Sequence, residues 1–408
     1  QTEKIQKFIR IINRELDRRK KLLSEHGVGT IALYREVTGK QEPTMVILMD
    51  SYESMKDEPY ETDLFKLFMR ISREGLSIGV NLIITASRQN NLRAQLYSNF
   101  KHQLTLPQND ISEVRGIVGA TPLASTMEDI KGRALMKRDE VDVVQFALPV
   151  AGDNDIQIIN NLRDQVQSLK EMWTGRTPVG IPMVPDELTE AAFYGREDVA
   201  ALLDEGKVPL GLDLETVEPV TWDLKKGNLL YLTDKEEQMT QFVKQIAHSK
   251  QKVIVLVPAY NELPEMEGVT ILSTKEDYVA GIKKMEENIQ LRLEQQKSQH
   301  EATIVLYNQL ELMNDLGMDL QSSLNYVLEK GARAGYATVA MSGSQLNRKI
   351  DEVSKSIKLY KQAIVAMRIT DQSVLNVINR PVREEPLDSQ VNYYVEDGFV
   401  RKVKVLMK

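Results

Sequence analysis

Cysteine is absent from all 408 residues, which excludes disulfides, thiolate zinc clusters and thiol catalysis and fits a reducing compartment. Histidine is scarce, with four copies, too few for a histidine-rich metal site, and no metal is expected. Long apolar runs are missing as well. The longest, of five residues, such as VIVLV at 253–257, have the length of a strand and fall far short of the roughly 20 residues needed to cross a bilayer. Nor does Lys or Arg form a basic stripe. Asp plus Glu number 59 against 52 Lys plus Arg, the net charge is −7, and the two signs are interleaved, so nucleic acid is not an expected partner. The opening QTEKIQKFIRIINREL has no initiator Met and no signal-peptide pattern, and it begins inside a helical repeat. The chain is expected to be a piece of something longer.

What is present is ordinary for a globular protein: 42% apolar and 27% charged residues over a length that suits two or three domains. Ile5, Phe8, Ile9, Ile12 and Leu16 recur at helical spacing. A strand TMVILMD (44–50), a helix near 61–74 and a second strand VNLIITAS (80–87) follow, and GRALMKRDEVDVVQFALP alternates like a hairpin. The same order then returns. A helix carries Tyr278, Ile282, Met285, Ile289 and Leu293; ATIVLYN (302–308) matches TMVILMD, which sets Asn308 against Asp50. Gly331 and Gly335 fall on Gly75 and Gly79, and VNYYVEDGFVRKVKVLM closes the second copy as a hairpin. Copy one carries an extra loop, GVGTIALYREVTGKQ. A polar helix (155–173) and the Pro-rich link GRTPVGIPMVPDEL separate the copies. The pattern predicts a duplicated α/β domain, partial in copy one and complete in copy two.

The residues RRKKLLSEHGVGTIALYREVTG, MVILMDSYESM and GVNLIITASRQ resemble the motor domains of the FtsK/SpoIIIE family. GRTPVGIPMVPDEL is similar to the inter-domain spacer of the family's type VII secretion ATPases, which string three such domains after a membrane anchor. The resemblance covers essentially the whole chain. It implies a RecA-like P-loop NTPase fold, with a central, mostly parallel sheet flanked by helices. Residues 1–152 would be the later part of a second ATPase domain lacking its P-loop half, 153–180 a helix and linker, and 181–408 a complete third domain. The parent would use Mg-ATP, sit at the cytoplasmic face of the cell membrane, and export small helical-hairpin proteins through their C-terminal signals. It would work beside neighbouring ATPase domains, as an oligomer.

A working P-loop needs glycines whose backbone N–H groups wrap the phosphates, a lysine on the outer phosphates and a hydroxyl for magnesium. Laid on the family motif, NLLYLTDKEEQMT puts Thr233, Glu236 and Gln238 in the glycine places and Met239 in the lysine place. Only Thr240 keeps a hydroxyl; Asp234, Lys235 and Glu237 complete a turn without glycine. TDKE instead fits a capping box, with Thr233 as N-cap and Glu236 reaching back. The acids Asp234, Glu236 and Glu237 would then sit on the positive end of the helix, where phosphate would otherwise go. Asp50 stands where the family's magnesium-supporting Asp stands; Ser51 replaces the usual Glu, and Glu53 is expected to point elsewhere. In copy two that place falls on Asn308, with Gln309 beside it, and the family's Thr-Gln-Arg run falls on Ser342, Gly343 and Ser344.

Arg73 and Arg333 are candidates for the family's arginine that reaches into a neighbouring nucleotide site, although a base at a helix C-terminus is favoured by the dipole alone. KKMEENIQLRLEQQK reads as a solvated helix face. These readings predict a third domain that receives substrate or regulates its neighbour and binds nucleotide weakly or not at all. The alternatives are a DNA-translocating ATPase of the same family and a purely structural scaffold.

Overall fold

The computed structural model describes residues 2–175, 177–224, 227–249, 251–378, 380 and 384–406. The chain divides into two compact units between Ile181 and Pro182. None of the described helices is long and apolar enough to cross a membrane.

In the first unit, the helix Thr2–Glu25 turns Ile9, Ile12, Leu16 and Leu23 inward, onto the Leu64, Leu67, Phe68 and Ile71 stripe of the helix Glu61–Glu74. The strands Met45–Met49 and Val80–Ile84 pair in parallel beneath them. Gln103–Thr105, Arg133–Lys137 and Val141–Gln145 make an antiparallel three-stranded sheet. The sequence GVGTIALYREVTGKQ, expected as a loop, holds the helix Ile31–Thr38 instead. Thr30 caps it by accepting the Leu33 N–H, and Gly39 ends it in the left-handed conformation at φ 69°, so both helix signals were present in the stretch. A further helix, Asp155–Met172, closes the unit with no buried residue.

The second unit is built on a ten-stranded sheet. From edge to edge the strands are Val269–Leu272, Val253–Leu256, Ala302–Leu306, Tyr336–Ser342, Leu229–Leu232, Gln362–Val365, Val391–Glu396, Phe399–Lys404, Val208–Asp213 and Pro219–Trp222. The first six are parallel to one another, and the last four join antiparallel. Both faces are covered, which is why Leu229–Leu232 reads as a continuous apolar run. Leu230 and Leu232 join the core formed with the helices Lys275–Glu294 and Met318–Lys330, while Leu229 and Tyr231 pack on the helix Glu236–Ala247. The fold is therefore α/β, with a mostly parallel sheet flanked by helices.

Candidate functional site

Ligands of open α/β sheets bind where the chain leaves the carboxyl ends of the strands. At that end of Leu229–Leu232 the backbone turns through 233–235 into the helix Glu236–Ala247. Thr233 is wholly buried. Its N–H donates to Ser342 O at 2.9 Å, which ties the turn to the adjacent strand. Its hydroxyl donates to Gln238 Oε1 and accepts the Lys235 N–H at 3.1 Å. The expected capping box is not formed. The N-cap is Lys235, two residues later, and its own side chain makes no capping bond. Thr233 is held in the core by the strand, so its hydroxyl reaches the side chain of Gln238 instead. Glu236 faces outward and accepts from Asn308 Nδ2 at 3.4 Å.

The neighbouring residues fill the turn with protein contacts. The Ser344 N–H donates to Asp234 Oδ1 at 2.8 Å. A Cβ on Gly343 would lie 2.6 Å from that oxygen, so the glycine lets the backbone approach the carboxylate. Met239, the residue expected in the lysine place, is 3% exposed and packs with Tyr231, Phe242 and Val243. The Thr240 hydroxyl lies 2.9 Å from the Tyr307 hydroxyl, which also donates to Glu236 O at 3.2 Å.

A cavity of about 440 Å³ opens beside this helix start, lined by Glu236, Glu237, Thr240, Tyr260, Glu262 and Tyr307, with Lys244 the one cation of its lining among the described residues. Burial raises the Tyr260 phenol, and the carboxylates of Glu311, Glu236 and Asp315 raise it further. Negative potential of this kind repels phosphate.

The structure corrects the alignment of the strand ends by one residue. Ser51 (φ 55°, ψ 67°) and Asn308 (φ 44°, ψ 59°) are both left-handed, each at the start of a short helical segment. The buried positions that follow also correspond, Tyr52 and Met55 in one copy and Gln309 and Leu312 in the other. Asn308 therefore matches Ser51, and the residue matching Asp50 is Tyr307. Where the first copy has Asp50, the second has a phenol that is bonded to the helix.

In the first unit Asp50 is exposed and accepts from the Thr85 hydroxyl, which in turn accepts the Ser51 N–H at 2.9 Å. Glu53 was expected to point elsewhere. Instead it turns back to the same strand end and accepts the Ser87 N–H at 3.2 and 3.4 Å. Hydrogen bonding from Ser87 holds its carboxyl below the ordinary glutamate value. Asp50 and Glu53 thus gather at one edge, a pairing that residue spacing alone did not reveal.

Arg73 and Arg333 are both exposed, without an ion pair among the described residues, and they are not equivalent. Arg73 precedes Gly75 within the helix Glu61–Glu74, whereas Arg333 follows Gly331 in a separate turn. The arginines that do correspond were missed. Arg19 donates to Ile78 O (3.0 Å), Gly79 O (3.3 Å) and Pro43 O (2.9 Å). Arg292 donates to Ala334 O and Gln299 O, each at 2.6 Å, and to Glu301 at 2.7 Å. The run containing Arg292 is therefore not wholly a solvated face.

No family model matches the sequence. The type VII secretion system protein EssC of Staphylococcus aureus (strain MRSA252) is 27% identical over 416 residues, covering 100% of this chain and 28% of the relative. A solved structure of EssC ATPases 2 and 3 from Geobacillus thermodenitrificans superposes with a TM-score of 0.86, at 24% identity, over 99% of this chain and 79% of that one. The chain is of EssC type. Thermomonospora curvata EccC (ATPases 2 and 3), solved in complex with a signal sequence peptide, aligns over 99% of this chain and 77% of that one, with a TM-score of 0.50 and 17% identity. The EssC-type chain described here spans little more than a quarter of the Staphylococcus relative's length. Its structural neighbours are described as ATPases, so the turn at 233–235 lies in the setting of an ATPase fold.

Proposed function

We propose that the second unit is a non-hydrolysing receptor or regulatory module of a type VII secretion motor. The observation that carries this reading is the self-filled turn. Thr233 bonds Gln238, Asp234 bonds the Ser344 N–H, and Tyr307 bonds Thr240 where phosphate, magnesium and a strand-end acid would act. Each charge-assisted hydrogen bond to phosphate contributes roughly 1.5–3 kcal/mol. A turn without the lysine and the glycine-held amides forgoes several of them. The parent protein would use Mg-ATP in other domains, at the cytoplasmic face of a membrane, to export small helical-hairpin proteins. A relative solved with a signal sequence peptide favours the receptor over the scaffold reading. The acidic helix start opposes a DNA translocase.

In the first unit, Asp50, Thr85 and Glu53 are proposed as the strand-end half of a nucleotide site, with Asp50 toward magnesium. The residues able to hold nucleotide in the second unit do not fit Mg-ATP, and no step is assigned to it there. Calorimetric titration of the chain with Mg-ATP, and separately with C-terminal peptides of exported helical hairpins, tests the reading. Saturable heat is expected with a tail peptide. Tight Mg-ATP binding that survives Asp50→Asn would overturn it.

A further inference from the structure

A second cavity, about 300 Å³, lies against the Gln238, Gln241 and Gln245 face of the helix Glu236–Ala247, between it and the C-terminal strands. Its lining differs from the acidic mouth beside Tyr260. Ile364, Val405, Leu406 and the stacked pair Tyr231 and Phe242, with ring centroids 4.5 Å apart, supply apolar surface. The charged residues Lys235 and Glu237 are both exposed. The remaining polar groups are mainly carboxamides.

Those carboxamides are half used. Gln245 Nε2 donates to Pro209 O at 2.7 Å, Gln241 Nε2 donates to Glu190 at 3.3 Å, and Gln238 Oε1 accepts from Thr233. The opposite end of each amide, two acceptors and one donor, has no hydrogen bond among the described residues. Asn392 is 2% exposed and stands beside the hydroxyl of Tyr231, itself 4% exposed. A carboxamide has more hydrogen-bonding positions than one hydroxyl can satisfy, and buried polar groups in native proteins are paired. The cavity therefore holds unspent donors and acceptors of both kinds around an apolar floor.

We propose that this cavity binds an extended, uncharged peptide segment. Its C=O and N–H groups would meet the free amide ends, and one aliphatic side chain would lie on Ile364 and Val405. A mixture of donors and acceptors suits a peptide backbone, which carries both, whereas a phosphate offers only acceptors and would leave the free carbonyl ends of Gln241 and Gln245 unmatched. The proposal rests on the receptor reading and places its peptide at a particular site.

The test titrates the intact, methyl-labelled chain with N-acetyl-leucine N-methylamide and, separately, with adenosine. The leucine amide is expected to shift the Ile364 and Val405 methyl signals saturably. Its affinity is expected to fall at least tenfold in Asn392→Leu and several-fold in Gln241→Met, whose half-buried position keeps the test alive if the first variant does not fold. Shifts from adenosine alone, from neither probe, or undiminished in both variants would overturn the proposal. A hairpin tail peptide that binds wild type and Asn392→Leu equally would discard this cavity but keep the receptor. Failure of every tail peptide would discard the receptor as well.

Discussion

Arg19 and Arg292 clamp the same turn in the two halves of the chain. Each reaches from its long helix to the carbonyls before a buried strand, at Ile78 and Gly79 in one copy and at Ala334 in the other. Each also has a second anchor just ahead of the preceding strand, Pro43 O in one copy and Gln299 O in the other, one residue apart in register. Gly79 (φ 73°) and Gly335 (φ 85°) supply the left-handed backbone that lets the turn close against the arginine. Truncating a buried, bonded arginine strands its acceptors, at a cost of about 3–5 kcal/mol. Arg19→Met is expected to lower the unfolding free energy, measured by urea denaturation, by that amount. Arg292→Met should cost less, because its side chain is 17% exposed against 2% for Arg19. Arg19→Lys should recover little, since an ammonium cannot span three carbonyls.

Met239→Lys makes a sharper test of the proposal that this position corresponds to a P-loop lysine. A revertant would restore phosphate binding if the side chain faced the turn. Met239 faces the core, among Tyr231, Phe242 and Val243, so a lysine there would bury an unpaired charge or give up its proton. Loss of about 3 kcal/mol or more and no gain in Mg-ATP affinity are expected, measured by urea denaturation and calorimetry. Tight Mg-ATP binding by a folded Met239→Lys protein would mean the helix start can still turn its side chains toward phosphate.

The Tyr307 hydroxyl is expected to act as a strut between strand and helix. It bonds Thr240 and the Glu236 carbonyl, both on the first helical turn. Tyr307→Phe removes the hydroxyl but keeps the buried ring, so the loss should be about 1 kcal/mol. Thr240→Val should cost a similar amount. In the double variant the two effects should fall short of additivity by at least about 0.5 kcal/mol. Full additivity would show that the pair is not coupled.

Much of this fold is legible in the sequence. The fully buried run Ala302–Leu306 and the helix with Tyr278, Ile282, Met285 and Ile289 advertise themselves by apolar spacing, and the paired glycines align the copies. The strand-end register is not legible to within one residue, because nothing in LYNQL says that Asn308, rather than its neighbour, turns left-handed. Arg292 was hidden for a related reason. A charged residue inside a charged helix run looks solvated until a turn far along the chain folds over it. The capping-box pattern around Thr233 misled because tertiary packing, not local preference, decided where that side chain points.

Glu53 provides a pH test of the strand-end pair. Its folded-state carboxyl lies below the ordinary value of 4.5, chiefly because the Ser87 hydrogen bonds favour the charged form. The folded chain therefore binds fewer protons there than the unfolded chain does. The stabilisation is complete above 4.5 and is lost as the pH falls through the lower folded value. Urea midpoints of the wild type should drop more steeply below pH 4.5 than those of Glu53→Gln, whose amide does not titrate, while the two curves should run parallel at neutral pH. The position is largely open to solvent, so the difference should be small and should shrink further in high salt. Parallel curves through the acid limb would show that Glu53 is not held at Ser87 in solution, and would remove it from the proposed half-site with Asp50.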